Sequence, residues 1–553
     1  MTIDVAIKMK NIIIVFSLSV IHIGLFQSCK MEKENEEFRP NILFVMSDNQ
    51  SYPHASAYGS KWINTPGFDY VAKEGILFHN VFSASPGCAP SRSSILTGRY
   101  PWQNEEAGGH QTLFPAKYIT FTDVLKESGY HIGYTGKGCA PFNWKQGGRE
   151  HDPAGPEFNQ IRYEGADSLV LPVGIPDPEA FASNISTVDY TGNFKDFLSK
   201  RTDNKPFFFW YGSREPHFPF EKGAGLKSGK KLEDAEVPEF LPDHEVIRTD
   251  LLDYAYEIEW FDNHLSKMIQ LLEEMGELEN TVIIVTSDNG MQFPYAIANC
   301  YEYGIHVPMA VSWPAIINKG RVSDDLINLA DVAPTILELT NSGIDKMLPM
   351  SAKSFTDILF SHQSGNIDSS RDAIYTGRER HSSARWMNLG YPQRAVRTED
   401  FLYIRNYYPE RWPAGAPQRL STEKPDELEF MHGLDEEGRY TGGVYCDIDD
   451  GVSKAYLIEN MDNPEISPYF DLAMGKRPSE ELFDINDDPF SVNNLAEDEE
   501  YSEELELMRN KLDEFLRKTE DPREVGPNPD IFENYQRFYT VRPFPKPDWI
   551  KNE

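Results

Sequence analysis

The sequence predicts an α/β protein: a large, mostly parallel sheet sandwiched by helices, followed by a smaller C-terminal α+β subdomain with an antiparallel sheet. Three observations carry this reading. Four short segments, Pro40–Ser47, Tyr130–Thr135, Pro206–Tyr211 and Thr281–Ser287, read as strands, and the apolar runs among them, such as Pro40–Ser47, suit burial on both faces. Helical patterns lie between them, and each run stops at a polar motif, the arrangement of an open parallel sheet with ligands at its carboxyl ends. From about Arg371 the segments become short and turn-bounded, as in a small antiparallel sheet.

Taken in order, Pro40–Ser47 runs into Asp48-Asn49. Asn64–Phe78 reads as a helix carrying Phe68, Val71, Ala72 and Ile76 to the core, with Gly75 near its end. A second helix is expected over Phe121–Ser128, after which the strand Tyr130–Thr135 leads to Gly136-Lys137-Gly138. The strand Pro206–Tyr211 ends in Gly212-Ser213-Arg214-Glu215-Pro216-His217. The clearest helix is Asp250–Met275, where Tyr254, Ile258, Phe261, Leu265, Ile269 and Leu272 fall at helical spacing and Gly276 supplies a stop. Thr281–Ser287 then reaches Asp288-Asn289-Gly290. In the C-terminal part, strands are expected over Ala373–Thr376, Arg394–Arg397 and Phe401–Arg405, with a long irregular insert over Tyr408–Pro468. The helix Tyr501–Lys518 would pack Leu505, Met508, Leu512 and Leu516 on that sheet.

A chain of 553 residues has room for two or more domains. With 53 Lys and Arg against 88 Asp and Glu, its formal charge is −35, which excludes nucleic acid as a partner because phosphate binding needs clustered cations. An acidic protein that binds an anion must instead concentrate a few cations in its pocket. Lys8 and Lys10 precede the apolar run Ile12–Phe26, too short to span a membrane but suited to a signal peptide. The run ends at Leu25-Phe26-Gln27-Ser28-Cys29, which resembles a bacterial lipoprotein lipobox. Residues 1–28 are therefore expected to be a lipoprotein signal peptide, Cys29 the lipidated residue and 29–37 a charged tether, with an ordinary cleaved secretory signal as the alternative. Either way the protein is exported, to the periplasm or surface of a Gram-negative cell. The lipid anchor in the outer membrane would be its one membrane contact. With Cys29 and Cys88 set aside, Cys139, Cys300 and Cys446 leave an odd number, so no disulfide framework is expected.

The stretch Ser85–Tyr100, SPGCAPSRSSILTGRY, reads as the start of a helix with capping hydroxyls and a fixed proline φ, a setting that attracts anions. Two oxygen-bearing pairs, Asp48-Asn49 and Asp288-Asn289, end two predicted strands, and a hard cation such as Ca²⁺ takes six or more such oxygens. Read singly, Cys88 also fits a buried structural cysteine and each pair an ordinary turn.

The placing of Cys88, Pro90, Ser91, Arg92 and Gly98 resembles the C-x-P-S-R…T-G site at which a cysteine becomes formylglycine. The order Ser-Asp-Asn, C-x-P-S-R, Gly-Lys, Pro-His, Ser-Asp-Asn-Gly and a late Leu482–Phe490 segment resembles the type I sulfatases of the alkaline-phosphatase-like superfamily over residues 38–520. Phe293-Pro294, Asn299, Tyr301–Gly304 and Tyr391–Arg394 are similar to the heparan N-sulfatase branch. The resemblance implies a catalytic domain over 38–370 and a C-terminal subdomain over 371–553 that completes the substrate pocket. It implies one Ca²⁺ held by Asp48, Asn49, Asp288 and Asn289 and shared by a formylglycine nucleophile made from Cys88 by a maturation enzyme. Arg92 would fix the nucleophile, Lys137 would contact the sulfate, His217 would bind the sulfate or protonate the leaving atom, Arg380 and His381 would close over the substrate, and Arg214 would read a substrate carboxylate.

Three positions depart from the family pattern. Asn49 stands where Asp is common, Ile297 where a Lys or Arg is usual, and Gly138-Cys139 where a His often follows the Gly-Lys pair. Acid catalysis would then lean on His217 and His381. The activity implied is hydrolysis of sulfate esters or sulfamates on glycans, with heparan-type glucosamine sulfate as the branch-level substrate. A phosphonate or phosphate ester hydrolase of the same superfamily is one alternative, and a non-catalytic surface glycan-binding lipoprotein another.

Overall fold

The apolar runs become the strands expected of them. In the computed structural model, which describes residues 39–163, 185–428 and 443–550, these strands are β1 (Asn41–Ser47), β3 (His131–Gly136), β4 (Phe207–Gly212) and β5 (Thr281–Ser287). The signal peptide, Cys29 and the tether lie outside the described residues. With β2 (Ile76–Phe78), β6 (Met309–Ser312) and β7 (Arg321–Ser323) they form a seven-stranded sheet in the order β3-β4-β1-β5-β6-β2-β7. Pairing is parallel except at β6, which runs antiparallel to both β5 and β2.

Alternate side chains of each strand enter opposite layers. Ile42, Phe44, Met46, Phe208, Trp210 and Ile284 pack with the helices α2 (Cys88–Thr97), α3 (Phe121–Glu127) and α6 (Val332–Leu339). Leu43, Val45, Phe209, Tyr211 and Val285 face α1 (Pro66–Lys73), α4 (Tyr190–Ser199) and α5 (Glu245–Glu274). The sheet is therefore dry on both faces, which is why its strands lack alternation.

Register places the functional motifs together. Asn41 pairs with Thr281 and Ser47 with Ser287, so Asp48 and Asp288 leave adjacent strands at the same level. Gly136 pairs with Gly212, which brings Lys137 and Ser213 to the same edge. Both positions require glycine: a Cβ on Gly136 would sit 2.0 Å from the Gly212 carbonyl oxygen, and one on Gly212 2.0 Å from that of Lys137.

The helix expected over Asn64–Phe78 ends at Lys73, and Ile76–Phe78 forms β2 instead. Gly75 causes the change, because its Cα lies so close to β6 that a Cβ would come within 2.0 Å of the Val311 carbonyl oxygen. The helix expected from Asp250 starts five residues earlier, where the His244 ring accepts from the Val246 amide.

A four-stranded antiparallel sheet follows, ordered β8 (Ile374–Arg378), β9 (Gln393–Arg397), β10 (Phe401–Asn406) and β11 (Glu480–Asp484). The region 408–468 is not wholly irregular, since Val452–Glu459 forms helix α7. Helix α8 (Ser502–Lys518) buries Met508, Leu512 and Leu516 against Val396, Tyr403 and Leu482, with Leu505 half-buried beside them.

The described residues from Pro40 onward form one compact unit, and a buried ion pair ties the second sheet to the short helix between β5 and β6. The Arg397 Nε donates to Glu302 Oε1 at 2.5 Å, and both residues are almost fully buried. Burial alone would raise the Glu302 carboxyl, but the Arg397 charge and the hydrogen bond with His306 bring it down to about 2. Its stabilisation is thus complete above the ordinary value of 4.5 and is lost as pH falls through about 2, a contribution on the order of 3 kcal/mol. Glu302→Gln is expected to destabilise the fold by about 3–5 kcal/mol at neutral pH by leaving Arg397 buried and unpaired. It should also flatten the acid limb of the stability curve, as checked by urea unfolding between pH 2 and 7.

Candidate active site

The strand ends, the first turn of α2 and the C-terminal residues enclose a cavity of about 690 Å³, large enough for a saccharide. Cys88 is the first residue of α2, and its N-cap is Gly87 in extended conformation. The serine hydroxyls do not cap this helix as expected. Ser91 donates to the Asp288 carbonyl at 2.5 Å, while Ser93 and Ser94 donate back to the Pro90 carbonyl. No side chain caps this helix N-terminus, whose first residue, Cys88, lines the cavity, and a helix N-terminus favours an anion.

One turn further, Arg92 is fully buried and organises the floor. Its Nε donates to Asp288 Oδ2 at 2.8 Å, and its Nη1 to the carbonyls of Lys137 and Gly138 at 2.8 Å each. Asp288 Oδ1 accepts the amides of Asn49 at 3.1 Å and Asn289 at 2.9 Å. The Asn289 Nδ2 donates to Asn49 Oδ1, whose own Nδ2 donates to Gln292 Oε1, both at 2.8 Å. Lys137 Nζ reaches Asp48 Oδ2 at 2.5 Å. Burial would raise Asp48, yet the charges of Lys137, His217 and Arg92 hold it at about 2.

The donor set fits a hard divalent cation. Asp48 Oδ1 and Asn289 Oδ1 are buried with no hydrogen-bond partner, a costly state unless a cation takes them. Ligand atoms of Asp48, Cys88 and Asp288 all lie within 4.8 Å of one another. Burial and the neighbouring Asp48 carboxylate push Asp288 up, the repulsion that a cation between them would relieve.

Asp48, Asn49, Lys137, Arg214, His217 and His381 line the cavity with Cys88. Asp288, Asn289 and Arg92 lie beneath them, fully buried. Arg380 is placed differently from expectation: its Nη2 donates to the Tyr535 carbonyl at 2.8 Å, so it supports the C-terminal segment and does not line the cavity. Ile297 lines the wall, whereas Cys139 is fully buried in the core beside α3, so neither supplies a cation or acid.

Sequence reasoning missed His110, whose Nε2 lies 3.3 Å from Cys88 Sγ and whose ring stacks on His381 at 4.8 Å. It follows Gly108-Gly109 in a stretch with no motif around it, so no local signal in the sequence marks it. Burial lowers His110 well below the ordinary imidazole range and brings His381 to about 4, so both rings are neutral at pH 7. Burial also pushes the Cys88 thiol up to about 11, which makes the unmodified sulfur a poor nucleophile. Arg537 and Arg542, from the C-terminal segment, also line the cavity and were likewise not foreseen.

The family model for sulfatases matches residues 40–342, more than half of the chain. The chain belongs to the sulfatase family. A second family model, N-sulphoglucosamine sulphohydrolase, C-terminal, matches residues 296–416 of this sulfatase. The chain is 25% identical over 525 residues to human N-sulphoglucosamine sulphohydrolase, covering 88% of this chain and 92% of the human one. It is 24% identical over 506 residues to an ulvan-active sulfatase of Formosa agariphila, covering 86% and 75%. A solved structure of a protein with its substrate D-glucosamine-2-N,6-O-disulfate superposes with a TM-score of 0.57 at 18% identity, covering 89% of this chain and 99% of that one; the fold is shared. The sulfatase is accordingly a sulfuric ester hydrolase.

Proposed function

We propose that this sulfatase hydrolyses sulfate esters or sulfamates on glycans, with heparan-type glucosamine sulfates as its substrates, through a formylglycine made from Cys88 and one Ca²⁺. The observation that carries the proposal is the convergence of Cys88, the first residue of α2, with two Asp-Asn pairs and the cations of one cavity. The relatedness to N-sulphoglucosamine sulphohydrolase favours glucosamine.

Asp48, Asn49, Asp288 and Asn289 would hold the cation. Formylglycine supplies a hydrated aldehyde, with one hydroxyl to attack sulfur and a second whose collapse expels sulfate, while Ca²⁺ lowers the cost of the attacking oxyanion. The Cys88 Sγ marks where that nucleophilic oxygen stands. Lys137, tied to Asp48, and the α2 amides neutralise the sulfate oxygens. His217, oriented by its Nδ1 contact with the Phe218 carbonyl at 2.7 Å, faces the cavity and delivers a proton to the leaving atom. His110 positions the hydroxyl at Cys88. Ile297 withholds a cation, which suits a singly charged sulfate monoester better than a phosphate monoester. The roles of export, lipidation at Cys29 and a maturation enzyme as partner belong to the same proposal and rest on the N-terminal sequence and the Cys88 signature.

Sulfate release from a panel of N- and O-sulfated glucosamines, with aryl sulfate and aryl phosphate in parallel, tests the reading. Release from at least one sulfated glucosamine and little from the phosphate is expected; phosphate cleavage alone would overturn it. Removing Ca²⁺ with a chelator should abolish turnover and lower the melting temperature by several degrees, since a ligand at 100-fold its Kd contributes about 2.7 kcal/mol. Both should return on adding Ca²⁺.

A further inference from the structure

Several deeply buried arginines of this chain have carboxylate partners, while others, such as Arg321 and Arg380, donate to backbone carbonyls. Arg92 pairs with Asp288, Arg378 and Arg385 share Asp447, and Arg394 and Arg523 meet on Glu379. Arg537 and Arg542 are half-buried and, among the described residues, neither makes an ion pair, yet both line the cavity that holds Cys88.

The segment carrying them is pinned to the cavity rim by backbone bonds. The Phe538 amide donates to the Gln111 carbonyl at 3.0 Å, next to His110, and the Arg542 amide donates to Ser383 Oγ at 2.8 Å, next to His381. The guanidinium groups are only partly satisfied. Arg537 Nε donates to the Thr540 carbonyl at 3.3 Å, and its Nη1 is buried without a partner. Arg542 Nη1 donates to the Ser383 carbonyl at 3.1 Å. Burial and the like charges of Arg380 and Arg542 bring Arg537 down to about 10. Asp447 is the nearby counter-charge, but its oxygens are taken by Arg378, Arg385 and the Ser382 amide. Holding two guanidinium groups together at a cavity wall, in a chain of net charge −35, costs stability that an anion in the cavity would offset.

We propose that Arg537 and Arg542 form a second anion subsite, so that this sulfatase takes sugars bearing a further sulfate or carboxylate besides the sulfate it removes. The inference rests on the hydrolytic reading above for the position of the first sulfate. It assigns to the C-terminal segment the closing role that the sequence suggested for Arg380.

The test is binding by calorimetry to the full chain carrying Cys88→Ala, with Ca²⁺ present. The probes are glucosamine-N-sulfate, glucosamine-2-N,6-O-disulfate and an N-sulfated glucosamine linked to a uronate. Arg537→Ala and Arg542→Ala should each weaken a doubly anionic probe by about 10-fold or more, and the N-sulfate by less than about 2-fold. The disulfate and uronate arms tell a sulfate subsite from a carboxylate one. Arg537→Gln, which keeps a donor to Thr540, should behave like the alanine variant if charge is what matters. Equal weakening of all probes, or of none, would overturn the subsite. If the converted protein releases sulfate from no sugar while the probe-dependent difference persists, the subsite stands and the hydrolytic reading falls.

Discussion

Cys88→Ala is expected to lower kcat on a sulfated glucosamine by at least roughly 10³-fold, because it removes the side chain proposed to become the covalent nucleophile. The fold should be nearly unaffected. Cys88 begins α2 at the cavity wall, with Gly87 as N-cap, and alanine keeps the helix start while deleting one sulfur. Lys137 and His217 still line the site, so a sulfated sugar should still bind. Sulfate release together with a thermal melt checks both halves: activity gone, melting temperature within a few degrees of the parent.

Asp288→Ala has the second large effect and combines two losses. Its carboxylate receives Arg92 and the amides of Asn49 and Asn289, and it is one of three clustered ligand groups. Removing it strands a buried guanidinium, a loss of about 3–5 kcal/mol, and should abolish Ca²⁺ binding and turnover together. Asp48→Asn separates the two effects. It keeps the Arg92–Asp288 pair, so Ca²⁺ affinity and turnover should fall while the unfolding midpoint in urea drops less than for Asp288→Ala. Equal destabilisation by both would contradict the role given to Arg92 as the floor of the site.

Much of this site is legible in the sequence because parallel β strands place it. Unbroken runs such as Asn41–Ser47 and Thr281–Ser287 announce burial on two faces, and the first polar residues after them must lie at one sheet edge. The strand-end positions of Asp48, Asn49, Lys137, Asp288 and Asn289 are therefore legible in the sequence alone. The signature around Cys88 was readable for a different reason, as a motif with its whole neighbourhood intact. Residues delivered by irregular chain were not. His110 approaches Cys88 from a loop whose path is set by packing, and its contact with His381 joins residues from two distant parts of the chain. Arg537 and Arg542 reach the cavity on a C-terminal segment held by backbone bonds to Gln111 and Ser383, which no local pattern encodes.

The misreadings have the same origin. Ile76 fits the stripe of the helix before it, but Gly75 lets the chain enter the sheet against Val311, and tertiary contact overrides periodicity. Strand β11 reads Glu-Glu-Leu-Phe-Asp and lacks the look of a strand, yet Glu481 is buried because Tyr301 and Asn406 donate to it. Arg380 sits beside His381 in sequence but turns to the backbone of Tyr535, since neighbours along an extended chain face opposite ways.

Conversion of Cys88 to the nucleophile of a sulfate-releasing site leaves a signature in its mass. Peptide mass spectrometry of the Cys88 peptide, from a preparation that releases sulfate from a sulfated glucosamine, tests it most directly. The expected result is the mass of the aldehyde, with sulfur replaced by oxygen and two hydrogens lost, in proportion to the specific activity. An intact thiol throughout a fully active preparation would contradict it.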